Sequence, residues 1–577
     1  MTEKRNRVDS LLDGLLLAAG VALTLVLIGN VFYFPRLMHD VALYISMGQR
    51  VALGAVPYVD VVDTNPPMIL YLSTLPALIS KIYGTPLAMT ALVFFLGLVL
   101  ILGLGFLLAL KLANPQTSRR ALAVVWIFWV WASLWVYQLG IFAQREHFIF
   151  LLMAGFVVIR QGRYAGTKIK PGWAALYGVL AAMGIGMKPH YLLPWLGIEL
   201  LLMGLYAREA LLQATRSGKD FRTRIRQLFQ GLRAPELLAL VISGLLYLGH
   251  FFILPGMSSY YTYWIPLFAR GYKVMDTGWS QLFYPRLVTP LLEFWPVALL
   301  AIGGLIWLRR EKRLTLPVLP LAFLVVSLLT LAVYILQKKG WFYQSIGFHL
   351  GLLTALGLLL GDFLQKTASQ TLKTLVTAGL LGALVLANAP AANATWQKFS
   401  TARESWLQSP ADSYSTLISH LTRPNESAMF IGTSLGDIFP AITYLGRLNA
   451  SRFGMAIPLS IILSDAGKNT IRPEWQADEK IYYAGLVEDL QKNQPRLVLV
   501  SSLKDTVEKI TVSRYLESRS FYQTSLRGYT CVGKIDNHYF VYVRLDPADP
   551  YYTEGVAFLY ESQLVRPFPP DCSLEQK

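Results

Sequence analysis

Long apolar runs broken by short polar stretches set the pattern of this chain. A helix needs roughly 20 apolar residues to cross a bilayer core, and about eleven segments approach that length. They are residues 11–34, 88–110, 121–142, 148–159, 173–187, 191–206, 236–255, 287–308, 314–337, 345–360 and 375–390. The first is too long for the apolar core of a cleaved signal peptide, and no small-residue cleavage site follows it, so it reads as a span.

Past residue 390 the apolar runs shorten and charges return. Ala428-Met-Phe-Ile-Gly432 reads as a buried strand, with a helix near 437–445 after it. Residues 482–492 read as a helix with Leu486 and Leu490 on its apolar face, and Arg496-Leu-Val-Leu-Val500 as a second strand. Residues 515–522 lead into 528–534 and 538–544, which Asp536-Asn537 joins as a hairpin. A small α/β domain follows the spans. It has no nucleotide fingerprint, since Ile431-Gly-Thr-Ser-Leu-Gly436 lacks the dinucleotide-loop spacing.

Composition agrees with a membrane protein: 54% of the residues are hydrophobic and only 15% are charged. The basic residues give the orientation, because cytoplasmic loops are rich in Lys and Arg. Lys4, Arg5 and Arg7 precede the first span, and further sets stand at Lys111–Arg120, Arg160–Lys170, Arg208–Arg233 and Arg309–Arg313. They alternate with loops poor in Lys and Arg. The N-terminus is expected inside, and the loop after the first span, like the domain after residue 390, outside. The net charge of +17 is largely this bias; no stretch reads as a nucleic-acid module. Arg222, Arg224 and Arg226 fit an amphipathic helix drawn to anionic lipid. Both cysteines, Cys531 and Cys572, fall in the outside domain, where a disulfide is permitted. Sequons at Asn393, Asn425 and Asn449 decide nothing.

Segments 121–159 and 173–206 have basic residues at both ends, so each crosses and returns. Three of their four legs hold about 12 to 16 residues, or ~18–24 Å, short of a ~30 Å core. Their tips, Gln144-Arg145-Glu146-His147 and Lys188-Pro189-His190, are therefore expected below the outer membrane surface. Ionisable groups at that depth usually face a wet cavity or a partner. The plainer reading is an Arg145–Glu146 pair reaching for the interface.

The loop after the first span carries the candidate chemistry. His39-Asp40-Val-Ala-Leu-Tyr44 is followed by Gly54-Ala-Val-Pro57-Tyr58-Val-Asp60 and by Asp63-Thr-Asn65-Pro66-Pro67. A carboxylate just outside a span, beside a Pro-rich loop with two more, suits a base that meets a lipid-borne substrate at the water boundary. With the short helix expected over 68–83, this set resembles the first extracytoplasmic loop of GT-C polytopic glycosyltransferases. That group includes the protein O-mannosyltransferases and the aminoarabinose lipid A transferases. The resemblance covers the first seven or so spans. It implies an α-helical polytopic membrane protein of GT-C type with a C-terminal extracytoplasmic α/β domain, divided at 1–390 and 391–577, with the first loop at 35–87. It implies transfer of a sugar, hexosyl or pentosyl, from a polyprenyl-phosphate carrier to a glycan, lipid or protein acceptor at the outer face of the cytoplasmic membrane, in a bacterium the periplasmic face. Asp40 takes the place of the catalytic base. Where many relatives carry Asp-Glu, this chain has Asp40-Val41.

Inverting transfer needs one carboxylate to deprotonate the acceptor hydroxyl. The lipid phosphate leaves without an acid but gains from positive charge beside it. Arg145 and Lys188 are the first candidates for that charge. Lys338 and Lys339, on a side expected to be poor in lysine, either join them or are an ordinary interfacial pair. His39, Tyr44, Tyr58, Asp60, Asp63, Glu146, His147 and His190 are candidates for substrate contact. Asp60 and Asp63 either order the loop, hold a divalent metal or only solvate it; no other cofactor is implied. The aromatics Tyr260, Tyr261, Tyr263, Trp264, Phe268, Tyr272 and Trp279 either anchor an interface or stack on sugar. Two rivals remain: an oligosaccharide ligase using a pyrophosphate-linked lipid, and a non-enzymatic lipid or glycan transporter. A transporter should show internal repeats, and none is evident.

Overall fold

A computed structural model describes residues 2–33, 37–217, 233–283, 288, 303, 318–367, 369–401, 412–424, 426–436, 438–454, 457–464, 471–503, 509–546 and 548–567. The expected span 287–308 apart from residues 288 and 303, Arg222 to Arg226, Asn425 and Cys572 lie outside the described residues. The chain forms two compact units.

The first unit comprises Met1–Arg36, Val93–Gly249 and Thr277–Trp406. It contains helices α1 (Thr2–Tyr33), most of α4 (Leu87–Ala113), α5 (Arg119–Gln138), α6 (Arg145–Tyr164), α7 (Pro171–Met187) and α8 (Leu192–Ser217). Most of Pro235–Ile253 follows, then Val318–Gln337, Ile346–Lys366 and Gln370–Thr401. Among the described residues, seven helices are long and apolar enough to cross a membrane. Helix starts follow local chemistry: Ser118 caps α5 by accepting from the Ala121 amide at 3.2 Å, and Pro171 opens α7. Helices touch where glycine leaves room. A Cβ on Gly178 would lie 2.1 Å from the Glu236 carbonyl oxygen, so α7 and Pro235–Ile253 can only meet there through glycine. Arg120, read from sequence as a topology charge, ties α5 to α1 through Asp9 at 2.7 Å and Asp13 at 2.6 Å.

One expectation needs correction. Two of the legs read as short are not short. α6 begins at Arg145, not Phe148, and its 20 residues span ~30 Å, while α8 continues to Ser217. The polar tip of the first hairpin is the first turn of α6 itself. Leg length therefore no longer argues for submerged tips; the burial of those side chains is a separate observation, given below.

The second unit comprises Leu37–Leu92, His250–Asp276 and Leu407–Lys577. Its centre is a six-stranded sheet in the order β2-β1-β3-β5-β4-β6: β1 (Ser427–Ile431), β2 (Leu448–Asn449), β3 (Leu497–Ser501), β4 (Thr530–Ile535), β5 (Tyr539–Val543) and β6 (Val565–Arg566). β1 runs parallel to β2 and β3; β5 and β4 run antiparallel to their neighbours. β3 and β5 are buried along their whole length, as their unbroken apolar runs require. Asp536 and Asn537 both take positive φ, 50° and 56°, which closes the expected hairpin. The helix expected at 482–492 starts earlier, giving Gln476–Asn493. The first-loop helices α2 (His39–Ala52) and α3 (Met68–Tyr83) belong to this unit. They cross closely at Gly48, where a Cβ would meet the Ser73 carbonyl carbon at 2.6 Å. α2 also lies against Ile438–Tyr444, and Thr443 Oγ1 donates to the Ala42 carbonyl at 2.9 Å.

Candidate functional site

In the first unit a tight turn brings α6 back after α5. Gly140 and Ala143 take φ of 71° and 65°, and Gln144 is extended, so Arg145, Glu146 and His147 fill the first turn of α6. A carboxylate is well placed there against the positive end of the helix dipole. All three are buried, Glu146 and His147 at 0% exposure. α7 stops where Pro189 disfavours the helical conformation at the residue before it: Lys188 is extended, and a 3-10 turn, Pro189–Tyr191, leads into α8. Lys188, itself buried, donates from Nζ to Glu146 Oε1 and to Gln337 Oε1, the latter at 3.2 Å. The charge of Arg145 also acts on Glu146. Two cations thus act on one carboxylate.

The other candidates of this unit lie around that cluster in different ways. His147 packs against Phe142 and Phe148, at 5.6 and 6.0 Å between ring centroids, and its ring nitrogens have no hydrogen-bond partner among the described residues. His190 is exposed and leans on the Tyr191 ring at 5.5 Å. Lys338, in a left-handed conformation with φ 52°, sets its Nζ over the Trp279 ring at 5.7 Å; Lys339 is buried. A groove of about 450 Å³ opens beside Lys188's partner Gln337. His190 and Gln337 are its polar members, and Leu193, Leu196, Val333 and Leu336 are among its apolar ones.

A second buried cluster in the same unit was not anticipated. Arg160 is fully buried; its Nε donates to Glu199 Oε2 at 3.0 Å and its Nη1 to Glu236 Oε1 at 2.8 Å, and Nη2 donates to Glu199 Oε1. Arg163 Nη2 reaches Glu236 Oε2 at 3.2 Å, and Tyr164 Oη donates to Glu199 Oε1 at 2.7 Å. The signal was present in the sequence: Glu199 interrupts an apolar run that reads as a span, and such a carboxylate needs a partner. Arg160 and Arg163 are clamps as much as orientation signals.

In the second unit Asp40 is not in a solvated loop, as its position next to the Pro-rich stretch suggested. It sits in the first turn of α2 at 6% exposure, with His39 Nε2 at 3.5 Å from Oδ1 and the imidazole side open to solvent. Tyr44 is buried one turn along the same helix. Tyr58 takes a positive φ of 64°, donates its hydroxyl to the Asn65 carbonyl and stacks on Tyr260 at 4.4 Å. Asp60 Oδ2 accepts from the Val56 amide at 2.9 Å, closing the turn. Buried Asp63 accepts from the Thr64 amide at 2.7 Å and from Asn65 Nδ2 at 3.1 Å. These are contacts of loop ordering. Among the described residues no group of three or more His, Cys, Asp or Glu is arranged to hold a metal ion.

The aromatic segment after Pro235–Ile253 is likewise built in. Tyr260 and Trp264 are buried, Trp264 meets Phe453 at 6.1 Å, and Tyr263 Oη donates to Asp478 at 3.1 Å, where Arg270 Nη2 also binds at 3.0 Å. Burial and the Asp478 carboxylate raise the Tyr263 hydroxyl above its ordinary pKa. Cys531 is disulfide-bonded; the chain's other cysteine, Cys572, is not among the described residues.

No protein-family model matches the chain, and no curated protein does. Among solved structures it is similar to ArnT from Cupriavidus metallidurans bound to undecaprenyl phosphate. The TM-score is 0.52 at 13% identity over 92% of this chain and 98% of that one. The apo state of the same protein gives 0.49 at 13% identity, over 91% and 97%. ArnT is an aminoarabinose lipid A transferase of GT-C fold, so this chain carries the GT-C fold that its first-loop residues resemble.

Proposed function

We propose that the protein is a membrane glycosyltransferase that moves a sugar from a polyprenyl-phosphate donor to an acceptor hydroxyl. The observation that carries this reading is the pair of buried cations, Arg145 and Lys188, gathered at Glu146 next to an apolar groove. An anionic head on a long hydrocarbon tail satisfies both. The fold adds support, since the ArnT of similar structure was solved with undecaprenyl phosphate.

Asp40 is the general base of the reaction. It takes the proton of the acceptor hydroxyl as that oxygen bonds to the anomeric carbon; the bond from that carbon to the phosphate oxygen breaks, and polyprenyl phosphate leaves. The motif around Asp40 and its place at the start of α2 support this role. Arg145 and Lys188 hold the phosphate, and Lys338 and Lys339 are next in line. The membrane domain is 1–390, in a bacterial cytoplasmic membrane with the N-terminus inside, and 391–577 lies outside. The alternation of basic loops supports this orientation, as does the disulfide at Cys531, a bond of oxidising compartments.

The test is transfer by purified protein from a polyprenyl-phosphate sugar. Asp40→Asn keeps size but cannot accept a proton near neutral pH, so turnover should fall ~100-fold or more while donor binding persists. Near wild-type turnover of that variant would remove Asp40 from the role and leave Asp63 or Glu146 as base.

A further inference from the structure

A second polar site lies within the unit that holds Asp40. A cleft of about 470 Å³ is lined by Arg50, Asp60, Asn449, Lys492 and Asn493, among others. Its walls come from the last turn of α2, the turn after it, β2 and the end of Gln476–Asn493. Gly54, with φ of 100°, closes that turn without a side chain.

Arg50 dominates the cleft. Its Nη1 donates to the Ser451 carbonyl, and this is its one hydrogen bond among the described residues. Its guanidinium has five N–H donors, so most of them have no acceptor among the described residues. Burial holds this guanidinium below its ordinary pKa and Arg452 adds to that, while Asp489 and Asp60 oppose it. Lys492 Nζ stands 3.7 Å from Asp60 Oδ1, and the lysine side chain is 64% exposed. Such a long, wet pair is weak and opens readily to another anion. Asn493 Nδ2 donates to the Ala450 carbonyl at 2.5 Å, which leaves the amide oxygen as an acceptor.

Donors for an anion and acceptors for hydroxyls in one cleft suit one chemistry. We propose that the cleft binds an anionic saccharide, with Arg50 and Lys492 on its phosphate or carboxylate and Asp60 and Asn493 on its hydroxyls. Arg50 is ten residues beyond Asp40 on α2, about 15 Å along the axis. On the transferase reading, which this role rests on, the cleft holds the far part of an oligosaccharide acceptor whose near hydroxyl reacts at Asp40.

Full-length protein in nanodiscs is titrated with glucose 6-phosphate, glucuronate, glucose and inorganic phosphate, followed by ligand-observed NMR. At least one charged sugar should bind, and which one identifies the anion; glucose and phosphate should bind at least several-fold more weakly. Arg50→Ala should weaken the charged sugar about tenfold or more. Lys492→Ala, at an exposed position that folding tolerates, should weaken it about two- to fivefold. Decaprenyl phosphate affinity should stay unchanged in both. Equal binding of glucose, no binding by either charged sugar, or unchanged affinity in both variants overturns the proposal. If charged sugars bind but decaprenyl phosphate does not, the cleft stands and the transferase reading fails.

Discussion

The first unit buries two groups of ions, and they are placed differently. Around Arg160, two cations (Arg160, Arg163) meet two carboxylates (Glu199, Glu236), and each of the Arg160 nitrogens donates to one of them. Around Lys188, two cations (Arg145, Lys188) meet one carboxylate (Glu146), and Gln337, which accepts from Lys188, also lines a groove. Burying a charge costs several kcal/mol unless its partners restore the lost hydration. The first group restores it from within the fold. The second gathers its cations beside a groove. On the transferase reading, that groove, more than burial, separates a binding site from a clamp.

The clamp gives the largest expected effect. Glu236→Gln leaves Arg160 and Arg163 without one of their carboxylates at a fully buried position. Removing one partner of a buried ion pair typically costs ~3–5 kcal/mol. The loss should appear as easier SDS-induced unfolding, and added decaprenyl phosphate should stabilise the variant no more than it stabilises the wild type. A different gain in the variant would mean the clamp is also a phosphate site, and the contrast would collapse.

Next in size is Lys188→Met. If Lys188 serves an anion, decaprenyl phosphate affinity should fall by ~1.5–3 kcal/mol, or roughly 10- to 150-fold. Stability should suffer less than in Glu236→Gln, because Arg145 still faces Glu146. The double variant Lys188→Met/Glu146→Gln takes that carboxylate from Arg145 and should lose further stability without regaining affinity. Unchanged affinity in Lys188→Met moves the phosphate elsewhere, with Lys338 and Lys339 to be tested next.

The sequence made some of this legible and hid the rest for a physical reason. Apolar runs and alternation report local periodicity, so α3, β1 and the β4–β5 hairpin are found where expected. Partners distant along the chain leave no such trace. Lys188 and Glu146 are 42 residues apart, Lys188 and Gln337 149, and Arg160 and Glu236 76. Charges at a turn also mislead about boundaries: Arg145 to His147 read as a loop tip because polar residues usually end a span, yet buried partners let the helix include them. Asp40 was singled out by its motif, but its burial at the start of α2 comes from packing that no local pattern announces. Arg50, held by Ser451 401 residues away, was missed for the same reason.

The finest test compares one neutral neighbour of each cluster. Tyr164 Oη donates to Glu199 at 2.7 Å in the clamp, and Gln337 Oε1 accepts from Lys188 at 3.2 Å beside the groove. Tyr164→Phe removes one hydroxyl while Arg160 still satisfies Glu199, so stability should drop by only ~1 kcal/mol, the ordinary net worth of a hydrogen bond. Decaprenyl phosphate affinity should not move. Gln337→Leu removes an acceptor from Lys188 and keeps the side chain near its size. If the lysine serves a phosphate, it is left freer to do so and the groove wall becomes more apolar. Affinity should then hold or rise by up to about fivefold, ~1 kcal/mol, with stability slightly reduced. A fall in affinity would mean that Gln337 positions Lys188 for the anion, not that it competes with it. A fall in affinity for Tyr164→Phe as well would show that the two clusters are coupled, and that neither can be assigned to structure or binding alone.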